Sequence, residues 1–124
     1  AFPSQKENVV KTPAIGPTGS PTVSIERNFI LEIDNPKGGK SIFALHVGEN
    51  TIGRISPNEI PIDDNSLSRN HAVITVRSGA VMIKDLGSKN YTFVNRRRIT
   101  DETEILPGSE ITFGVVQATL KNKE

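Results

Sequence analysis

From Phe29 onward the chain reads as short apolar segments separated by turn residues about every eight to twelve positions. The segments are "FILEI", "SIFALHV", "NTIG", "IPI", "AVITV", "AVMIKDL", "YTFV", "TEIL", "EITFG" and "VVQATL". Several of them alternate. Phe29, Leu31 and Ile33 fall on one face of a strand, and Ile30 and Glu32 fall on the other. Ser78-Gly79 lies between two such runs and predicts a two-residue hairpin. "DNPKGGK" (34–40) and "ISPNE" (55–59) are further turn signals. No stretch keeps a 3.6-residue apolar period over ten residues, so long helices are not expected. Many short, evenly spaced strands predict an all-β sandwich or barrel.

Residues 1–27 break this pattern. "KTPAIGPTGSPTVS" is dense in Pro, Gly, Ser and Thr and has no hydrophobic period, so it cannot bury enough surface to offset its ordering entropy. It reads as a flexible tail before a domain at 28–124, the alternative being a short arm laid down by Val9, Val10 and Ile15. Thr12-Pro13 and Ser20-Pro21 make Thr12 and Ser20 candidate sites for proline-directed phosphorylation.

Length and composition narrow the chemistry. A chain of 124 residues with 35% hydrophobic content supports one modest core. The absence of Cys excludes a disulfide scaffold, thiol catalysis and Cys-bearing zinc sites, and it fits an intracellular location. No apolar run reaches membrane-spanning length, so no membrane partner is expected. Lys and Arg number 15 against 14 Asp and Glu, a net charge of +1. A binder of nucleic-acid backbone carries a marked basic excess, so no direct nucleic-acid partner is expected and any bound anion should be small and held locally.

The polar residues concentrate in a few inter-strand segments. These supply Arg54, Ser68, Arg69, Asn70 and His71; then Ser88, Lys89, Asn90 and Thr92; then Arg96, Arg97 and Arg98. Ser68 and His71 could be drawn as nucleophile and base, with Asp63, Asp64 or Asp85 as orienter. They share one turn, however, without a Gly-rich elbow, whereas a triad presents its base from elsewhere in the fold. A metal site would have only His46 and His71, with no acidic repeat at ligand spacing, so no metal and no cofactor are expected. His46 reads as a strand residue and His71 as a brace for its own loop. An anion site uses the same residues without strain. Arg54, launched from Gly53 at a strand end, offers a planar fork for phosphate, Ser68 adds a hydroxyl and Arg69 a second charge. Asn90 can both donate to and accept from a peptide backbone. Together they suit recognition of a phosphorylated peptide.

Gly53-Arg54, then Ser68-Arg69-Asn70-His71, then "DLGSKNYTFVN" (85–95), stand in the order and spacing of a known family pattern, and "LPGSEITFG" (106–114) follows as a turn into the last strands. Over roughly residues 28–121 the chain resembles forkhead-associated domains. That resemblance implies a sandwich of two twisted, mainly antiparallel sheets with ten or eleven short strands. It implies phosphothreonine-dependent recruitment of a partner protein, without enzymatic activity. Arg54, Ser68, Arg69, Lys89 and Asn90 would contact the phosphopeptide, and Gly53 and His71 would shape and brace the loops. Tyr91 and Arg96 depart from the pattern, because each stands where the family has Gly after Asn; either is strained if the turn is kept. Arg96, Arg97 and Arg98 then form a basic corner, either a solvated hairpin tip or a second contact for acidic groups. Family habit further implies a nuclear protein of DNA-damage or cell-cycle signalling. The alternatives are a phosphate-independent interaction or dimerisation module, and a homodimer formed by docking of the phosphorylated tail.

Overall fold

The computed structural model describes residues 28–123. The tail and its candidate sites Thr12 and Ser20 lie outside the described residues. Eleven strands follow in order: β1 (Phe29–Asp34), β2 (Lys40–Ala44), β3 (Gly48–Gly53), β4 (Ile60–Pro61), β5 (Ala72–Arg77), β6 (Ala80–Asp85), β7 (Thr92–Val94), β8 (Arg97–Arg98), β9 (Thr103–Ile105), β10 (Glu110–Phe113) and β11 (Val116–Asn122). There is no helix among the described residues. The strands form a six-stranded sheet, ordered β2-β1-β11-β10-β7-β8, and a five-stranded sheet, ordered β4-β3-β5-β6-β9. Pairing is antiparallel except between β3 and β4, where Ile52 faces Ile60 in parallel register.

The alternation expected of these strands is what builds the sandwich. Phe29, Leu31 and Ile33 of β1 are buried while Ile30 and Glu32 are not fully so. Ile74 of β5, Ile83 of β6, Ile111 and Phe113 of β10, and Leu120 of β11 are fully buried in the same core. Each such side chain contributes about 1.5–3 kcal/mol when removed from water. β1 and β11 pair along their whole length, with Phe29 opposite Asn122, so both ends of the described domain sit side by side.

The turns follow their residues. Ser78 and Gly79 both take positive φ (53° and 78°) and close the β5–β6 hairpin in two residues. Asn95 and Arg96 do the same between β7 and β8 (49° and 70°).

Two expectations need correction. The segment "NRRRI" is not only a turn, because Arg97 and Arg98 form β8 and pair with Val94 and Phe93. A two-residue strand of arginines has no apolar alternation by which to be seen. His46 lies not in a strand but in the loop after β2. Its amide donates to the side chain of buried Asn50, which ends the regular pairing there, and its exposed ring meets Glu59 and the Val47 carbonyl.

Candidate functional site

Three loops meet at one end of the sandwich, namely 54–59 after β3, 62–71 before β5 and 86–91 after β6. Backbone hydrogen bonds fix their relation. The Arg54 amide donates to the Ser68 carbonyl (3.0 Å), and the Leu86 amide donates to the His71 carbonyl (2.9 Å). Arg54, Ser68, Arg69, Lys89 and Asn90, separated by up to 36 residues in sequence, line a single open cleft of about 460 Å³ together with Asn65, Ser66 and Leu67. Its lining carries three cationic side chains and no acid.

Gly53 sets the floor. It is buried, and a β-carbon there would run into the Arg69 carbonyl and the Asn58 side-chain amide. Only glycine lets the two loops come this close. Asn58 completes the junction by donating to the carbonyls of Ile55 (2.6 Å) and Arg69 (2.7 Å).

His71 is fully buried, and its ring binds on both sides. The Ser68 amide donates to Nδ1 (3.1 Å), and Nε2 lies 2.9 Å from the Tyr91 carbonyl. Since the first partner is a donor and the second an acceptor, the ring must be neutral, with its proton on Nε2. Burial pushes its pKa below the ordinary 6.5, against the opposing pull of the Tyr91 carbonyl and Asp85. His71 therefore welds the Ser68 wall to the Asn90–Tyr91 wall, and its ring edge packs T-shaped on Phe113 at 5.8 Å.

The catalytic alternative finds no geometry here. Both nitrogens of His71 are engaged with backbone, and the Ser68 hydroxyl accepts from the Lys89 amide (2.9 Å). Asp85 hydrogen-bonds elsewhere. Its carboxylate accepts from the amides of Gly87 (3.0 Å) and Ser88 (2.9 Å) and from the hydroxyls of Ser88 (2.5 Å) and Thr92 (2.6 Å). Burial pushes its pKa up, but the bonds from Ser88 and Thr92 outweigh that and hold it below the usual carboxylate range. Asp64 likewise accepts from the hydroxyl and amide of Ser66, which hold its pKa down. These aspartates shape loops.

What remains available faces the cleft. Among the described residues, the Ser68 hydroxyl proton has no acceptor, and Arg54 Nε is buried without a partner. A buried donor left unpaired costs about 1–3 kcal/mol, a cost that Arg54 sheds only if its side chain turns toward an acceptor in the cleft that it lines. The Lys89 amide is already committed to Ser68, which leaves its exposed ammonium for a ligand. Asn90 spends one amide hydrogen on the Ser66 carbonyl (2.9 Å), keeping the other and its own carbonyl.

Ser66 is a residue that sequence reasoning passed over. Its backbone carbonyl accepts from Asn90, and its hydroxyl donates to Asp64 and accepts from the Val115 amide (3.1 Å), which ties the β10–β11 hairpin to the cleft. Nothing local announces that contact. The Asp85 turn did carry a signal, since Asp followed two and three residues later by Gly and Ser is a side-chain-capped turn.

Comparison with known proteins bears on this arrangement. The family model for the FHA domain matches residues 50–114, which hold every residue of the cleft. The chain is 42% identical over 83 residues to Nibrin of Danio rerio, covering 65% of this chain and 10% of that protein. It is 32% identical over 98 residues to the glycogen accumulation regulator GarA of Mycolicibacterium smegmatis, covering 79% of this chain and 56% of that one. It thus spans a tenth of the first relative and little over half of the second. A solved structure described for phosphothreonine-dependent FHA domain interactions superposes with a TM-score of 0.71 at 26% identity, over 78% of this chain and 98% of that chain.

Proposed function

This chain belongs to the forkhead-associated family of phosphothreonine-binding interaction modules, and we propose that the cleft between its three loops holds the phosphothreonine of a partner protein. The observation that carries this reading is the gathering of Arg54, Ser68, Arg69, Lys89 and Asn90 on one cleft lined by cations and no acid, with Arg54 Nε left unpaired beneath it. In it Arg54 and the Ser68 hydroxyl grip the phosphate, with Arg69 and Lys89 adding charge. A phosphate brings about −1.5 to −2 charges and three acceptor oxygens, which match these donors. Asn90 reads the backbone of the peptide with its remaining amide hydrogen and carbonyl. Gly53 lets the loops approach closely, and His71 joins the two walls; neither touches the ligand.

The test is direct observation of the orphan. In nitrogen-15 spectra the Arg54 Nε–H resonance should shift and sharpen on titration with a phosphothreonine peptide, and should stay in place with the unphosphorylated peptide. A resonance indifferent to both would remove Arg54 from the site.

Where the protein works is a separate proposal. A nuclear role in DNA-damage or cell-cycle signalling rests on family habit and the likeness to Nibrin, whereas the likeness to GarA favours a bacterial regulator. Imaging of the tagged protein in its own cells decides between them. Docking of phosphorylated Thr12 into the cleft of the same or a second molecule rests on the Thr12-Pro13 sequence, and sedimentation with and without that phosphate tests it.

A further inference from the structure

Tyr91 directly follows Asn90 at the lip of the cleft and holds φ at 70°, in the left-handed region that favours glycine. Its backbone carbonyl accepts from His71 Nε2 (2.9 Å) and from the Gly114 amide (3.2 Å), so the residue cannot swing away. The pattern that the chain resembles has Gly here, and glycine would serve the turn better. The side chain therefore does something that the fold does not ask of it. Tyr91 is 42% exposed, and the Arg98 guanidinium lies 3.6 Å from its ring centroid. Arg98 comes from β8, whose pairing to Phe93 brings it beside Tyr91. Neighbouring Arg96 has a carboxylate partner in Glu110 (3.6 Å), but among the described residues Arg98 has none. A guanidinium held over an aromatic ring keeps N–H donors free, and its fork fits a carboxylate bidentately.

We infer that Tyr91 and Arg98 form an accessory subsite that selects an acidic side chain close in sequence to the phosphothreonine. The ring fixes the guanidinium in orientation, and the guanidinium reads the acid. This rests on the phosphothreonine reading of the cleft and adds to it a specificity that the chain's own departures create. The strained backbone at Tyr91 is then retained because it places a rigid aromatic platform one residue from the phosphopeptide.

The test uses phosphothreonine peptides that differ only at single flanking positions, scanned as Glu, Gln and Lys, measured by fluorescence anisotropy on the whole chain. At one or two positions Glu should bind about three- to fivefold tighter than Gln, the strength of a partly exposed charge pair. Arg98→Gln should abolish that preference, weakening the Glu peptide about three- to fivefold more than the Gln peptide. Tyr91→Gly should reduce the preference, and Tyr91→Phe should keep it. Raising the salt should shrink the Glu advantage, because exposed pairs are screened. Phosphopeptide binding without any acidic preference, or an Arg98→Gln loss equal for both peptides, overturns the subsite alone. Failure of every phosphothreonine peptide to bind overturns the underlying reading and the subsite with it.

Discussion

At the scale of single residues, the two departures from glycine are the most telling positions. Tyr91 and Arg96 both sit at φ 70°, each at a cost of about 1–3 kcal/mol relative to relaxed backbone. They differ in what offsets that cost. Arg96 gains an ion pair of 3.6 Å to Glu110, but its side chain is 87% exposed, and such pairs contribute about 0–1 kcal/mol. Tyr91 carries Arg98 at 3.6 Å and directly follows Asn90, which lines the cleft. Arg96→Gly should therefore stabilise the domain by about 1 kcal/mol in urea unfolding, since glycine accepts φ > 0 freely. Tyr91→Gly should gain less, because it also loses the ring beneath Arg98. An Arg96→Gly variant less stable than the wild type would show that the hairpin depends on that side chain. These strains were legible in the sequence, because Asn-Gly is the ordinary solution for a tight turn and its absence can be read directly. The partnership of Tyr91 with Arg98 was not, since it depends on β8, and Arg97–Arg98 carries no strand pattern.

At the scale of elements, the loops act as one piece through His71. Each wall of the cleft is bonded to one side of a neutral, buried imidazole, so protonation would set a second N–H against the Ser68 amide. The sign of the pH dependence follows. His71 has its folded pKa depressed below 6.5, so its contribution is full above 6.5 and is lost as pH falls from there through the lower folded value. Asp85 and Asp64, also depressed, hold theirs until pH falls below about 4. His46, whose pKa the Val47 carbonyl and Glu59 raise, contributes with the opposite sign around the same pH, so in a His46→Asn background unfolding midpoints should be level near neutrality and decline first below pH 6.5. His71→Ala should remove that first step and cost about 3 kcal/mol, because it leaves a cavity and two unpaired backbone groups. A midpoint that stays level between pH 7 and 5 in that His46→Asn background would refute the brace. The bracing role of His71 was readable from Ser-x-x-His within one turn, and that of Gly53 from its place before Arg54. Asn58 and Ser66 were not readable, because each acts on a carbonyl or amide brought near only by the tertiary fold. His46 was misplaced because an apolar-looking run continued past Ala44 while Asn50 captured its amide.

At the scale of the whole molecule, a net charge of +1 means that no general field draws anions to this protein. On the proposed reading, phosphate affinity arises from Arg54, Arg69, Lys89 and the Ser68 hydroxyl, which loops from three strand junctions gather in one cleft. The two-sheet scaffold was legible almost throughout, because hydrophobic alternation and turn residues are local signals. The cleft was legible through the resemblance of three separated motifs rather than through any one of them. Binding should therefore depend on the phosphate and on Arg54 together. Isothermal titration of one peptide in phosphothreonine and unphosphorylated forms, against the wild type and Arg54→Ala, tests it most directly. The wild type should bind only the phosphorylated form, and Arg54→Ala, folded as before, should lose about 2–5 kcal/mol of that affinity. Equal binding of both peptide forms by the wild type, or undiminished binding by a folded Arg54→Ala, would contradict it.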